Sequence, residues 1–197
     1  MGPFAHLGIT AGTAVLANSI WQNRRLPKRG ASPSGKISQP RNSFWRPLSL
    51  PSTLAVFFGA IVSDLIDKPI GNFFFVNYFS NGRIFAHTLL FLASVTAVGV
   101  LYWAFTDKGW ILIIAFGIFM HLILDQMWLE PGTLFWPLYG TAFPRDPNME
   151  PLIWLRGVLH AIVSDPRVIL SELVGLIIFG WLFIKMVIDL RLHKPDY

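Results

Sequence analysis

The 197-residue chain is 53% hydrophobic and only 14% charged, with a mean hydropathy of +0.52. Soluble domains carry roughly a quarter charged residues, so the composition argues against a soluble protein and for a single membrane domain over residues 1–197. The chain has no cysteine, which excludes disulfides and thiolate metal sites. Its net charge of +5 is concentrated in one linker, so we expect no nucleic-acid partner.

Five apolar stretches approach the length of about 20 helical residues that a hydrocarbon core requires. In chain order they are about 3–22, 48–67, 84–105, 110–129 and 168–190. The first has no basic segment before it, so we interpret it as a retained span and not as a signal peptide. A further apolar stretch, 151–164, has Arg156 in its middle and is placed at the interface. The predicted fold class is all-α, a polytopic transmembrane helix bundle of about five spans and one interfacial helix.

Residues 23–47 form a linker with seven basic residues and no acidic one. Short loops rich in Lys and Arg stay in the cytoplasm, so the linker is predicted to be cytoplasmic. Successive crossings then place the N-terminus outside and the C-terminus in the cytoplasm of an inner or plasma membrane. The basic residues Arg191 and Lys194 near the C-terminus agree with this orientation.

Six ionisable residues fall inside these spans, where such groups are costly and indicate a function. They are His6, Asp64, Asp67, His87, His121 and Asp125. Asp64 and Asp67 are spaced i, i+3 in the second span, which puts both acids on one helix face. His121 and Asp125 are spaced i, i+4 in the fourth span, which puts them on one face as well. With the predicted topology, all six lie in the outer half of the bilayer.

Three imidazoles and three carboxylates without thiols are typical ligands of a divalent metal. Zn²⁺ is the favoured ion, Mn²⁺ or Mg²⁺ is the alternative, and three carboxylates are enough to bridge two ions. His160 could join this site or lie at the interface.

Three segments carry a resemblance to a known family. They are GAIVSDLIDKP (59–69), GRIFAHTLLF (82–91) and GIFMHLILDQMWLEPGTLFWPL (117–138). With the early His6, they resemble the membrane-bound metal-dependent hydrolases, which include LexA-regulated inner-membrane proteins, over about residues 1–138. The resemblance to zinc-dependent phospholipase C is more distant. The residues that match are His6, Asp64, Asp67, Arg83, His87, His121 and Asp125.

The chain departs from the family pattern at four positions. Ser63 replaces a Pro, Lys68 and Gly82 stand where a His is common, and Ala86 replaces a Thr. The loss of two imidazoles could reduce the number of metal ions, one or two of which are expected, or change the metal. It also leaves Lys68 as a candidate phosphate-binding charge.

The resemblance and the predicted ligands together imply metal-assisted hydrolysis of a lipid-linked or head-group phosphoester at the extracytoplasmic face. Asp64 or Asp67 is expected to bridge metals and accept the proton of water. Arg83 and Lys68 are expected to bind phosphoryl oxygens. Membrane lipids are the expected partners. The glycines of the last span, Gly175 and Gly180, are not at the GxxxG spacing that indicates a dimer, so the oligomeric state stays open.

Two other functions stay open. An intramembrane metal or proton transporter would need polar residues through both halves of its spans, whereas 88–105 and 110–120 contain no charged residue. A membrane scaffold would use the basic linker to bind anionic lipid, and its function would survive replacement of all six site residues.

Overall fold

The computed structural model describes residues 2–25, 50–145 and 151–192. Helices and turns make up these residues, and no strand occurs among them. The long helices are α1 (Pro3–Arg25), α2 (Leu50–Pro69), α4 (Leu89–Thr106), α5 (Trp110–Leu124), α7 (Pro151–Ser164) and α8 (Pro166–Leu192). Short helices are α3 (Val76–Phe79) and α6 (Pro131–Leu134), with a π-helical turn at Ile70–Phe74 and 3₁₀ turns at Phe85–His87 and Met127–Leu129.

The helices follow the predicted spans, with two differences at the ends nearest the predicted site. The third span starts later than expected because α4 begins at Leu89, after Thr88 caps it by accepting a hydrogen bond from the Phe91 amide at 3.0 Å. The fourth ends earlier because Asp125 terminates α5 and Gln126 adopts a left-handed backbone with φ 54°. The predicted basic linker lies outside the described residues from position 26 onward.

Among the described residues, two helices are long and apolar enough to cross a membrane, Leu89–Thr106 and the Pro166–Ile188 part of α8. The other three predicted crossings are not confirmed by length and composition. Helix α5 is apolar but has only 15 residues, which gives about 22 Å at 1.5 Å per residue. Helix α1 contains polar residues along its length. The last two turns of α2 carry three charged residues, Asp64, Asp67 and Lys68.

Two pairs of parallel helices cross at glycines. In the α1–α8 pair, a Cβ atom on Gly8 would lie 1.9 Å from the carbonyl oxygen of Gly175. In the α2–α5 pair, a Cβ atom on Gly59 would lie 2.4 Å from the carbonyl oxygen of Ile114. Small residues permit this close approach of helix backbones in membranes. Gly175 therefore serves packing within the chain.

Helix α1 is antiparallel to α2 and α5, so its N-terminal end lies beside their C-terminal ends. At that end His6, His87 and His121 are at most 2% exposed. Towards the opposite end lies a cluster of small apolar residues, Ala11, Ala14 and Val56, packed against partly buried larger ones. We call these three residues and their apolar neighbours Phe57, Ile113, Phe116 and Leu182 the apolar floor.

Candidate metal centre

Four of the predicted site residues form one group that could hold a metal ion: Asp64, His87, His121 and Asp125. One ligand atom from each lies within 4.8 Å of the other three. The Nε2 atoms of His87 and His121 are 3.2 Å apart, and Asp64 Oδ1 lies 3.5 Å and 3.7 Å from them. Asp125 Oδ2 lies 4.0 Å from His87 Nε2. A tetrahedral zinc ion with bonds of about 2.0–2.1 Å holds its ligand atoms about 3.3 Å apart, which these separations approach.

The hydrogen bonds of the two imidazoles point their Nε2 lone pairs at each other. His87 Nδ1 lies 2.7 Å from Asp67 Oδ2, and His121 Nδ1 lies 2.8 Å from the carbonyl oxygen of Ala60. Because both partners are acceptors, each Nδ1 carries the hydrogen in the neutral ring and each Nε2 is left as an acceptor. Two acceptors at 3.2 Å repel unless a proton or a cation lies between them. A carboxylate or carbonyl behind the ring is the usual support of a metal-binding histidine.

Asp64 supplies a carboxylate oxygen with unused capacity. Its Oδ1 is buried and accepts no hydrogen bond among the residues described. The other oxygen lies 2.5 Å from the Nζ of Lys68, one helical turn later on α2. A buried acceptor without a donor is costly, and a cation bound to it removes that cost. The group Asp64, His87, His121 and Asp125 therefore suits a divalent cation by its donor atoms as well as by its spacing.

Asp67 lies outside this group because both of its oxygens are used to hold the chain around His87. The side chain is fully buried and accepts hydrogen bonds from the backbone amides of Ile84, Ala86 and His87 at 2.8–3.2 Å. Together with the bond to His87 Nδ1, these contacts fold the segment between α2 and α4. Asp67 therefore orients His87 and is not placed as a bridging ligand.

His6 contacts two members of the group, Asp125 and His121. Its Nε2 lies 2.9 Å from Asp125 Oδ1, and its ring stacks on that of His121 with centroids 4.3 Å apart. Its Nδ1 is buried without a hydrogen-bond partner among the described residues. His6 thus positions Asp125 and His121 and does not belong to the four-residue group.

The two predicted phosphate-binding cations are both paired with carboxylates. Arg83 Nε lies 3.1 Å from Asp125 Oδ2, and its Nη1 lies 2.5 Å from Glu130 Oε1. Burial by itself lowers the pKa of Arg83, but Asp125 and Glu130 outweigh this effect and raise the pKa above its usual value. Arg83 is therefore charged at every pH at which the protein can be handled. Lys68 pairs with Asp64, as described above.

Some contributors to the site carry no signal in the sequence. The Ala60 carbonyl that orients His121 is a backbone group, so no residue type marks it. Glu130 lies 47 positions from Arg83, and only the tertiary fold brings the pair together. Gly82, where a His is common in the resembling family, has no free space, because a Cβ there would lie 2.8 Å from the side-chain nitrogen of Asn72.

His160 is placed away from the group. It lies on α7 with an exposed side chain, and its Nε2 is 3.4 Å from the hydroxyl oxygen of Ser164. Helix α7 itself matches the predicted helix at 151–164.

No curated protein and no solved structure matches the chain. A family model described as YdjM inner membrane protein matches residues 1–192, so the chain belongs to the YdjM inner membrane protein family.

Proposed function

We propose that the protein is a metal-dependent hydrolase of the membrane that cleaves a phosphoester at the extracytoplasmic face. The observation that carries this proposal is the convergence of Asp64, His87, His121 and Asp125, with both imidazoles held by acceptors behind them. The family description names an inner membrane protein and no reaction, so hydrolysis rests on the site itself. Four ligand atoms from two imidazoles and two carboxylates favour one ion, with Zn²⁺ before Mn²⁺ or Mg²⁺.

A divalent cation bound at such a site lowers the pKa of bound water and polarises a phosphoryl oxygen. In the hydrolysis the oxygen of water forms a bond to phosphorus, the ester P–O bond breaks, and the departing alcohol takes a proton. Asp64 is better placed than Asp67 to receive the proton of water, because its Oδ1 has no donor among the described residues. Asp67 holds His87 in the orientation that the reaction needs.

The surface around this end of the molecule supports a substrate at the level of lipid head groups. The segment that joins α2 to the His87 turn exposes aromatic side chains, including Phe74 at 77% and Tyr78 at 68%. Leu138 and Tyr139, just beyond α6, are 86% and 70% exposed. Exposed aromatic residues are enriched where a membrane protein meets the head groups. We therefore expect the phosphoester to be part of a lipid or linked to one.

The apolar floor favours an enzyme over a transporter. Ala11, Ala14 and Val56 fill the space between the helices beyond the four-residue group, and they offer no polar path towards the other end of the bundle. A conduit for protons or metal ions needs polar groups or water along its length. The four-residue group is thus bounded by apolar residues on this side, as we expect for a hydrolytic site.

The test is metal analysis by mass spectrometry on the full chain purified in detergent. Wild type is compared with His121→Ala and Asp125→Ala, and with matched controls at exposed positions outside the group, His160→Ala and Asp165→Ala. We expect about one ion per chain in wild type and in the controls, and its loss in the two site variants.

Activity is then measured as phosphate or phosphorylated head group released from a panel of phospholipids and lipid-linked phosphates. Turnover by wild type that disappears in His121→Ala and persists in His160→Ala supports the proposal. Wild-type protein that cannot be loaded with metal, or metal-loaded protein that cleaves no member of the panel, would overturn it.

A further inference from the structure

A cleft of about 390 Å³ adjoins the candidate metal centre on the side of α8. Its volume lies within the range of small-molecule sites in proteins. The polar residues that line it are Arg83, Asp125, Gln126, Glu130, Arg167 and Ser171. Asp125 belongs to the four-residue group as well as to the cleft, so a molecule bound in the cleft lies next to the candidate metal centre.

Arg83 is not the free guanidinium of this cleft. Its Nε and Nη2 both lie 3.1 Å from Asp125 Oδ2, and its Nη1 reaches Glu130. A guanidinium that already binds two carboxylates has little donor capacity left for a third anion. Its role here is to hold Asp125 and Glu130 at the edge of the cleft.

Arg167, in the first turn of α8, is the second guanidinium of the cleft. Its side chain is exposed, and within residues 2–25, 50–145 and 151–192 no carboxylate forms an ion pair with it. Its backbone amide donates to Asp165 Oδ1 at 2.8 Å, which fixes the start of the helix. The five guanidinium N–H donors of Arg167 are therefore available to a ligand.

The cleft also has two neutral polar residues, Ser171 and Gln126, which differ in whether their donors are already used. The hydroxyl of Ser171 donates to the carbonyl oxygen of Val168 at 2.9 Å, so its hydrogen is already used. Gln126 follows Asp125 directly, and its left-handed backbone, with φ 54°, turns the chain at the rim of the cleft. Its amide group offers a neutral donor in the lining that it shares with Arg167.

The charges of the lining residues indicate what the cleft binds. The cations Arg83 and Arg167 are formally balanced by Asp125 and Glu130, so the protein alone provides no excess positive charge. A divalent cation at the neighbouring group adds two positive charges and makes the cleft favourable for an anion. This step rests on the proposed function, because it requires the cation.

We propose that Arg167 binds the phosphoryl group of the substrate in this cleft, with Gln126 as a second donor. The planar fork of a guanidinium matches two oxygens of a phosphoryl group. Arg167 therefore takes the anchoring role expected of Arg83 and Lys68, both of which are paired with carboxylates. The chemical class of the ligand is a phosphoryl oxyanion, carried either by a lipid head group or by free phosphate.

The experiment measures phosphate binding by isothermal titration calorimetry on the full chain, loaded with Zn²⁺ in detergent. One arm uses inorganic phosphate and the other uses phosphatidic acid in mixed micelles. The variants are Arg167→Ala and Arg167→Lys. The matched control is Arg191→Ala, which removes the same charge from an exposed site on the same helix about 36 Å away. Zinc content is measured for every protein.

We expect Arg167→Ala to weaken binding about tenfold or more, Arg167→Lys to weaken it less, and Arg191→Ala to leave it unchanged. All variants should keep their zinc, which shows that the fold is intact. Tighter binding of phosphatidic acid than of inorganic phosphate identifies the lipid as the source of the phosphoryl group. Tighter binding of inorganic phosphate identifies free phosphate, and equal binding shows that the phosphoryl group alone is recognised.

The inference is overturned if wild type binds neither probe, or if Arg167→Ala and Arg191→Ala weaken binding equally. Two further outcomes would distinguish the anchoring role of Arg167 from the proposed hydrolase activity. If binding depends on Arg167 but no phosphoester is cleaved, the anchoring role stands and the hydrolase does not. If zinc is bound and phosphoesters are cleaved without dependence on Arg167, the hydrolase stands and the anchoring role does not.

Discussion

The two ends of the helices α1, α2 and α5 differ in what they bury. At one end lie the imidazoles of His6, His87 and His121 with the carboxylates around them, all held by hydrogen bonds. Towards the other end is the apolar floor, whose small residues let the helices pack closely. In a lipid environment a buried polar group is costly unless it is paired or performs a function. The concentration of polar groups at one end marks it as the candidate functional end, whereas the other end serves packing.

The boundary between the two ends is the α2–α5 crossing at Gly59, and a side chain there should disrupt both. In Gly59→Val the new Cβ would lie 2.4 Å from the Ile114 carbonyl oxygen, a backbone atom that cannot move alone. Overpacking typically costs about 1–3 kcal/mol, and a clash with backbone lies at the upper end of this range. We expect a large fall in the thermal unfolding temperature in detergent, with loss of bound metal, because the next residue, Ala60, orients His121.

The control for that substitution is Gly180→Val on α8. A Cβ at Gly180 meets no atom within 4 Å, so the folded state should accept it. Equal losses of stability in Gly59→Val and Gly180→Val would show that the crossing does not separate the two ends.

Removing the charge of Asp67 should damage the polar end selectively. Asn in its place keeps the shape but turns a donor towards the backbone amides of Ile84, Ala86 and His87. Groups that orient a metal-binding histidine typically change metal affinity by about 10–100-fold. We expect Asp67→Asn to lower zinc affinity by that factor in a competition titration with a chelator.

Asp107→Asn is the matched control for Asp67→Asn. Asp107 is exposed at the C-terminus of α4 and has a left-handed backbone, with φ 56°, that Asn also tolerates. Unchanged zinc affinity in Asp67→Asn would remove the orienting role assigned to Asp67.

Much of the fold followed from local sequence. Apolar stretches marked the positions of the long helices, and the i, i+4 spacing of His121 and Asp125 placed both at the same end of α5. Three of the predicted crossings could not be supported by length and composition, because α5 is short and α1 and α2 carry polar residues of the candidate site. A helix that lines a polar site is less apolar than one that faces lipid, so hydropathy underestimates it.

The features of the site that could not be predicted from the sequence depend on contacts between residues far apart in the chain. Asp67 was assigned with the other acids by its i, i+3 spacing from Asp64, yet its partners lie 17–20 residues further along the chain. The late start of α4 has the same origin, since Asp67 holds the turn that precedes it. The pairing of Arg83 with Glu130 is equally invisible before folding.

A substitution in the apolar floor should lower stability without changing zinc affinity. Val56 is fully buried, and Val56→Ala removes two methyl groups from contact with α1 and its neighbours. We expect a loss of about 1–2 kcal/mol in the free energy of unfolding, with zinc affinity unchanged. Val98→Ala is the matched control, because Val98 on α4 is 55% exposed and leaves no cavity. A loss of zinc in Val56→Ala would show that the two ends are coupled.

The smallest effect is expected at the rim of the polar end, for Glu130→Gln. Glu130 pairs with Arg83 at 2.5 Å, but their side chains are 38% and 34% exposed, so solvent screens the interaction. Exposed ion pairs contribute about 0.2–1 kcal/mol, and Arg83 keeps Asp125 as its partner in the variant. We expect a slight fall in the unfolding temperature that disappears at high salt, with zinc content unchanged. If Glu130→Gln instead released the metal, Glu130 would be a ligand, and the polar end would extend beyond α5 to the turn that precedes α6.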